Sequence, residues 1–188
     1  MNAIALPTVI VLASGRGDRF RASGGTVHKL AALLGGRPLL EHSLAAVRAS
    51  GLPWHLEDAG HPGMGDSIAA AVRATADAGG WLILPADLPL VRPDTLRRVA
   101  AALAEGAAAV QPSHAGRRGH PVAFGAASRE ALLQRTGEVG AAPVLQALRA
   151  RGEVRELALD DVGIVTDVDT LADLAAAEAL WRELSPSR

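Results

Sequence analysis

The sequence predicts a three-layer α/β fold with a mostly parallel sheet. Short apolar runs alternate with segments of helical periodicity along the 188 residues. Three polar turns, ASGRGDR, PADLPL and TDVDT, each follow a predicted strand. Alternating strands and helices build parallel sheets covered on both faces, and ligands bind such sheets beyond the carboxyl ends of the strands. We therefore expect the three turns to share one edge of the sheet.

The first half of the chain contains three predicted strands, each followed later by a predicted helix. Proline fits a first helical turn, aspartate, serine and threonine cap helix starts, and glycine ends helices. On these signals the predicted strands are residues 8–13, 54–58 and 81–84. The predicted helices run from Pro38 to Gly51, from a cap at Asp66 or Ser67 to Ala78, and from a cap at Asp94 or Thr95 to Gly106.

The second half continues the alternation. Four β-rich runs are predicted as strands and three segments of helical spacing as helices. The predicted strands are residues 107–112, 120–125, 154–159 and 162–169, and the predicted helices are residues 128–136, 142–152 and 170–184. Because no repeat or linker interrupts this order, residues 1–188 are predicted to form a single domain.

The composition narrows the functional class. A net charge of −1 provides no general attraction to nucleic acid or to anionic membranes. The absence of cysteine excludes disulfides, thiolate metal sites and cysteine nucleophiles. The sequence shows no signal peptide and no apolar window of membrane-spanning length. We expect a cytoplasmic protein that binds neither nucleic acid nor a membrane, so any anion must be held by a local site.

The turn after the first strand, ASGRGDR at residues 13–19, combines two glycines with two arginines and is called the glycine turn below. Glycines let backbone N–H groups approach an anion closely, and Arg16 and Arg19 add charged donors suited to phosphate oxygens. The turn matches neither the dinucleotide-binding fingerprint nor the P-loop, because Phe20 stands at a required glycine of both motifs. A polyphosphate site is one interpretation, and a tight turn with solvated arginines is the other.

Lys29 is the only lysine among the 19 basic residues. A lysine ammonium is a compact point charge on a flexible stem, whereas arginine presents a planar fork. Its position within reach of the glycine turn favours a phosphate-binding role over a chance occurrence.

The two acidic turns carry candidate metal ligands. Asp87 lies between two prolines just past a hydrophobic strand, and Asp167 and Asp169 alternate in TDVDT. Mg²⁺ in proteins uses one or two carboxylates together with substrate phosphates. If Asp87 and one of the other two converge, a magnesium-phosphate site results. Alternatively, Asp87 caps a turn and Asp169 caps the last helix, and for Asp169 both roles are compatible.

None of the six histidines belongs to an i,i+4 helical pair or to an H-E-x-x-H motif, which argues against zinc. His120, in RRGHPVAF, follows two arginines and a glycine. It is either a ligand contact or a polar residue at the entrance of a strand.

These residues resemble a known family. LASGRGDRF, followed by Lys29, is similar to the signature of MobA-like nucleotidyltransferases, L-A-[AG]-G-x-S-x-R-[MF]-G-x-x-K. Further motifs of that family follow in its order and span nearly the whole chain: LGGRPLLEHSL, GMGDSIAAAV, PADLPLVRPDTL, GRRGHPVAFG, TGEVGAAPVLQAL and GIVTDVDTLADL. RGHPVAFG and GIVTDVDTLADL resemble the branch that cytidylylates molybdopterin cofactor.

The resemblance implies a Rossmann-like nucleotidyltransferase fold. It also implies transfer of CMP from CTP to molybdopterin cofactor with Mg²⁺ as the cofactor and pyrophosphate as the second product. The implied catalytic residues are Arg19, Lys29 and Asp87, and the implied metal ligands are Asp87 and Asp169. The implied nucleotide-binding residues are Leu12, Ala13, Ser14, Gly15, Arg16, Gly17, Lys29, Gly65, Asp66 and Ser67, with Gly119 and His120 on the pterin side.

The chain departs from the family pattern in three places, of which Ser14, in place of the usual alanine or glycine, is a small change. RASGGTVH separates Phe20 from Lys29 by more residues than usual, and about one βα unit, roughly 20 residues, is missing after Pro53. The loss bears mainly on base recognition. The alternatives are a GTP-using transferase of the same family, and a non-catalytic carrier that hands cofactor or nucleotide to a molybdoenzyme.

Overall fold

The computed structural model describes residues 5–184. The strands are β1 (Thr8–Leu12), β2 (Leu33–Leu34), β3 (Arg37–Pro38), β4 (Trp54–Glu57), β5 (Gly80–Pro85), β6 (Ala109–His114), β7 (Arg117–Arg118), β8 (Val122–Gly125) and β9 (Val154–Ala158). The α-helices are α1 (Asp18–Ala22), α2 (Leu39–Ser50), α3 (Met64–Ala74), α4 (Pro93–Ala104), α5 (Arg129–Leu133), α6 (Ala142–Ala150) and α7 (Leu171–Leu184). Three short 3₁₀ helices cover Lys29–Ala31, Ala126–Ser128 and Val162–Val165.

One seven-stranded sheet organises the chain. Its order is β4–β1–β5–β8–β6–β7, and β9 also pairs with β6. The pairs β1–β4, β1–β5 and β6–β9 are parallel, whereas β8 runs antiparallel to both β5 and β6. The prediction of a mostly parallel sheet is therefore confirmed. The hairpin of β2 and β3 forms a small second sheet.

Helices cover both faces of the sheet, as the alternation of side chains along β1 requires. Val9 and Val11 belong to the core cluster shared with α2 and α4. Ile10, between them, belongs to the opposite cluster, which contains residues of α3, α5 and α6. All three are fully buried, and burial of such a side chain contributes roughly 1.5–3 kcal/mol. This confirms the three-layer α/β class.

The region after Pro53, where a βα unit is expected to be missing, contains β4 followed by α3. β4 pairs directly with β1, in register from Val9–Trp54 to Leu12–Glu57, so the sheet has no gap there. Within residues 5–184 no strand lies beyond β4. The strand therefore forms the sheet edge beside the carboxyl end of β1.

Three predictions of local structure are wrong. The helix predicted to start from a cap at Asp94 or Thr95 begins at Pro93, after Arg92, without a side-chain cap. Residues 162–169 do not form a strand, because the Asp161 carboxylate accepts from the Gly163 amide at 3.0 Å and turns the chain into a 3₁₀ helix. The second predicted helix begins at Met64 after Gly63 instead of at an Asp66 or Ser67 cap, and it ends at Ala74. Ser67 lies inside that helix and donates its hydroxyl to the Gly63 carbonyl at 3.1 Å.

None of the helices between residues 5 and 184 has the length and apolar character that a membrane crossing requires.

Candidate functional site

A cleft of about 610 Å³ lies where β1 and β5 end, at Leu12 and Pro85. This volume is within the range of small-molecule sites. All three polar turns reach it, although TDVDT follows a 3₁₀ helix instead of the predicted strand. The predicted site residues that line the cleft are Leu12, Ser14, Gly15, Arg16, Gly17, Arg19, Lys29, Ser67, Asp87, Gly119, His120 and Asp169.

The glycine turn presents its backbone to the cleft. Gly17 has φ of +67°, a left-handed conformation that favours glycine, and it directly precedes α1. Among residues 5–184 no acceptor is bound by the backbone N–H groups of residues 14–17. Arg16 pairs with Asp18 at 3.2 Å on an exposed surface, where ion pairs are weak. The turn therefore offers free amides and a movable guanidinium to an anion.

Lys29 returns to the glycine turn despite the long segment that separates them. A Cβ atom built on Gly17 would lie 3.4 Å from Cγ of Lys29. His28, at the start of the 3₁₀ helix, bonds through Nε2 to the Gly15 carbonyl oxygen at 2.8 Å. The eight residues between Phe20 and Lys29 therefore lead the chain back to the glycine turn.

The Lys29 ammonium joins the two predicted metal ligands. Its Nζ lies 2.6 Å from Oδ2 of Asp87 and 2.8 Å from Oδ1 of Asp169. Arg19 reaches the other carboxylate oxygen of Asp169 at 2.7 Å. Asp87 and Asp169 therefore converge, while Asp167 lines the cleft without an ion pair among the described residues.

The electrostatics of Lys29 follow from this geometry. Burial acts to lower the pKa of Lys29, but the attraction of Asp87 and the hydrogen bonds to both carboxylates outweigh it, so the pKa is raised above 10.5. The ammonium is therefore fully charged at neutral pH.

The turn that carries Asp87 is fixed by backbone contacts. The hydroxyl of Ser43, fully buried on α2, donates to the carbonyl oxygens of Ala86 at 2.8 Å and Leu88 at 3.3 Å. The amide of Val168 donates to the Asp87 carbonyl at 3.0 Å. Since Val168 directly precedes Asp169, this bond holds the two acidic turns against each other.

Asp169 does not cap the last helix. Thr170 occupies that place, and its hydroxyl accepts from the Asp173 amide at 3.2 Å. The Asp173 carboxylate accepts in return from the Thr170 amide at 2.8 Å, a reciprocal capping arrangement. The Asp169 carboxylate is thereby left to Lys29 and Arg19.

The Asp87 and Asp169 carboxylates fit a hard divalent cation that takes phosphate oxygens as its other ligands. Two carboxylates meet at the cleft with side chains only 18% and 16% exposed. Within the described residues no group of three or more acidic, histidine or cysteine side chains could hold a metal ion. A pair of carboxylates completed by substrate phosphates is the arrangement that Mg²⁺ commonly uses.

Three predicted nucleotide-binding residues lie off the cleft. Ala13 turns into the core beside α2, and its amide donates to the Glu57 carbonyl at 2.9 Å. Gly65 and Asp66 hold the turn before α6: the Gly65 amide donates to the Gly137 carbonyl at 2.8 Å, and the Asp66 carboxylate accepts from the Gly137 amide at 2.9 Å. Around the start of α3 the residues that line the cleft are His61, Gly63, Met64, Ser67 and Glu138.

Gly119 and His120 also line the cleft. A Cβ atom on Gly119 would lie 2.4 Å from the Ile164 carbonyl oxygen, so only glycine fits this close approach. Nδ1 of His120 is buried and has no hydrogen-bond partner among the described residues. Burial lowers the pKa of His120 below 6.5, against the opposing effects of Asp87, the Ile83 backbone and Asp167. The ring is therefore neutral at pH 7.

Two residues of the site were not predicted. His28 is one of six histidines that belong to no metal-binding motif, and Ser43 lies inside the helix predicted from Pro38 to Gly51. Both act through backbone carbonyls that are distant in sequence, 13 residues away for His28 and 43 for Ser43. No spacing rule signals such contacts.

Comparison with known proteins identifies the family. The model of the MobA-like NTP transferase domain matches residues 44–154. A molybdenum cofactor guanylyltransferase from Acidiphilium cryptum is 32% identical over 192 residues, covering 90% of this chain and 93% of the relative. These findings confirm the family that the motifs indicate.

Solved structures share the fold. A nucleotidyl transferase from Methanothermobacter superposes with a TM-score of 0.76 at 21% identity, covering 96% of this chain and 99% of that one. The Rv0371C protein of Mycobacterium tuberculosis, in complex with manganese, gives a TM-score of 0.69 at 21% identity over 93% of this chain and 98% of that one. The chain therefore belongs to the MobA-like NTP transferase family and is a nucleotidyltransferase.

Proposed function

We propose that this nucleotidyltransferase transfers CMP from CTP to molybdopterin cofactor, with Mg²⁺ as its metal and pyrophosphate as the second product. The observation that carries the proposal is the convergence of Lys29, Asp87 and Asp169 beside the glycine turn. A cluster of one cation and two carboxylates next to free backbone amides suits a metal-bound triphosphate.

The triphosphate would lie along the glycine turn. The N–H groups of residues 14–17, which bind no acceptor among the described residues, would donate to its oxygens, and Arg16 and Arg19 would add guanidinium groups at the same cleft. Lys29 can reach the same phosphates, because its side chain passes beside Gly17. These groups would neutralise the charge that grows on the departing pyrophosphate.

Asp87 and Asp169 would hold Mg²⁺. The bound ion would neutralise phosphate charge and fix the geometry of the triphosphate. The Ser43 and Val168 contacts keep the two acidic turns together, so the carboxylates are held before substrate arrives.

The transfer requires positioning more than a covalent nucleophile. An oxygen of the cofactor's terminal phosphate would attack the α-phosphorus of CTP, and the bond to the bridging oxygen of the β-phosphate would break and release pyrophosphate. Gly119 and His120 line the same cleft, and the cofactor would bind beside them. With the reactants held in line, proximity and charge stabilisation account for catalysis.

The choice of nucleotide has support on both sides. RGHPVAFG and GIVTDVDTLADL resemble the cytidylylating branch. The 32% identity to a guanylyltransferase supports GTP as the alternative. The phosphate-binding groups cannot distinguish the two nucleotides, because the triphosphate is common to both.

A non-catalytic carrier is the second candidate, and the shortened region around β4 favours it. The paired carboxylates argue against it, since a carrier has no need for a metal clamp at the phosphates. Turnover separates the two candidates directly.

The test is an assay of pyrophosphate release with molybdopterin cofactor, Mg²⁺ and either CTP or GTP, with the product identified by mass spectrometry. A cytosine dinucleotide form of the cofactor supports the proposal. A guanine form retains the chemistry and changes the substrate. Binding of cofactor or nucleotide without pyrophosphate release would favour the carrier.

A further inference from the structure

The ammonium of Lys29 lies between the two carboxylates that would hold the metal. Its distances of 2.6 Å to Asp87 and 2.8 Å to Asp169 engage one oxygen of each. We propose that in the free enzyme the Lys29 ammonium takes the place of the metal between Asp87 and Asp169. A divalent metal then binds tightly only together with the nucleoside triphosphate. This inference rests on the metal site of the proposed function.

The charge balance of the site supports the proposal. Two carboxylates face two cationic side chains, Lys29 and Arg19, so the cluster is neutral before any metal arrives. The Lys29, Asp87 and Asp169 side chains are 12%, 18% and 16% exposed, and in such a partly dry site charges interact more strongly than in water. A dication added to this neutral group would be repelled by both cations.

A triphosphate supplies the charge that removes this repulsion. The glycine turn holds its anion site next to Lys29, since Cγ of that residue lies 3.4 Å from a Cβ position on Gly17. The lysine stem is flexible, so Nζ can turn from the carboxylates to phosphate oxygens without a backbone movement. Arg19 is 78% exposed and free to follow. Both carboxylates then become available to the metal that the phosphates bring.

The competing explanation is a permanent ion triad that only stabilises the fold. In that case the two carboxylates are not a metal site, metal would bind elsewhere or not at all, and removal of the lysine would leave metal affinity unchanged. The two explanations therefore differ in an observable other than activity.

The experiment is a titration of the protein with Mn²⁺ alone, with free Mn²⁺ measured by electron paramagnetic resonance. Lys29→Met is expected to bind Mn²⁺ about tenfold or more tightly than the wild type, because a competing charge is gone. Arg21→Met is the matched control, since Arg21 belongs to the same segment but pairs with Asp18. It is expected to bind Mn²⁺ as the wild type does, and adding Asp87→Asn to Lys29→Met is expected to abolish the gain.

Equal Mn²⁺ affinity of Lys29→Met and the wild type would overturn the proposal. Lys29→Gln provides a second variant if the methionine variant does not fold. Micromolar binding of Mn²⁺ alone by the wild type would overturn it whatever the variants do. Because no nucleotide or cofactor is present, a wrong substrate assignment cannot produce either failure, and pyrophosphate release tests that assignment separately.

Discussion

Nε2 of His28 lies 2.8 Å from the carbonyl oxygen of Gly15 and links the glycine turn to the segment that carries Lys29. Nδ1 of the same ring accepts from the Leu30 amide at 3.3 Å, so the proton is on Nε2 and the ring donates to Gly15. The long segment between Phe20 and Lys29 therefore keeps Lys29 beside the glycine turn, because the His28 ring bonds both to the Gly15 carbonyl and to the Leu30 amide.

His28→Ala should weaken nucleotide binding. It removes both bonds and frees the 3₁₀ helix of Lys29 from the glycine turn, so we expect a CTP Kd several-fold higher and a loss of about 1 kcal/mol in the free energy of unfolding. His114→Ala is the matched control, because His114 also bonds to a carbonyl oxygen, that of Leu159, away from the cleft. Equal CTP affinity of the two variants would contradict the linking role.

Asp87→Asn should abolish most of the transferase activity while leaving the fold intact. The amide keeps the shape of the side chain but removes the charge that is proposed to hold the metal, and we expect turnover to fall by about 10²-fold or more. Asp77→Asn, on an exposed site, is the control and should retain wild-type turnover. Comparable rates in both variants, measured as pyrophosphate release, would exclude Asp87 from the metal site.

Asp161 should be a main determinant of stability. Its buried carboxylate accepts from the Arg92 amide at 3.0 Å, the Thr95 hydroxyl at 2.6 Å and the Gly163 amide at 3.0 Å. Asp161→Ala leaves these donors unpaired and should lower the free energy of unfolding by about 2–4 kcal/mol. Asp160→Ala, at an exposed neighbour, should change it by less than about 0.5 kcal/mol. Urea unfolding measures both.

His120 should make the protein less stable in mild acid. Because its folded-state pKa is below 6.5, the ring is neutral in both states above that pH. As the pH falls below 6.5 the unfolded chain takes up the proton first, and stability is lost until the pH passes the folded-state pKa. Between pH 7 and pH 5 the wild type should lose unfolding free energy more steeply than His120→Gln, by at most about 1.4 kcal/mol per pH unit. Parallel pH profiles would contradict this.

Much of the fold follows from local patterns. The strands at residues 8–12 and 80–85 lie between opposite core clusters, so their apolar runs are continuous and easily recognised. The false strand at residues 162–169 has the same β-branched composition. What decides against it is Asp161, whose carboxylate binds the Arg92 amide and the Thr95 hydroxyl at the start of α4 as well as the Gly163 amide. Contacts between residues so far apart in the sequence, such as those of Asp161 with Arg92 and Thr95, cannot be predicted from residue spacing.

In the candidate site, too, some residue positions could be predicted from the sequence and others could not. Asp169 meets Asp87 although no strand directly precedes it, because the Val168 amide binds the Asp87 carbonyl. The position of Asp87 beside the glycine turn follows from the rule that turns at one sheet edge meet. The positions of Gly65 and Asp66 do not, because α3 begins at Met64 and directs both residues to the turn at Gly137. A shift of two or three residues at a helix start changes which side chains face a cleft, since successive residues turn by about 100°.

The most direct test of the central claim is a calorimetric titration of CTP and GTP into the protein, with and without Mg²⁺. The account predicts tight binding of CTP that requires Mg²⁺ and is lost in Asp87→Asn. Tighter binding of GTP would retain the site and correct the substrate. No binding of either nucleotide in the presence of Mg²⁺ would contradict the claim that Lys29, Asp87 and the glycine turn form a triphosphate site.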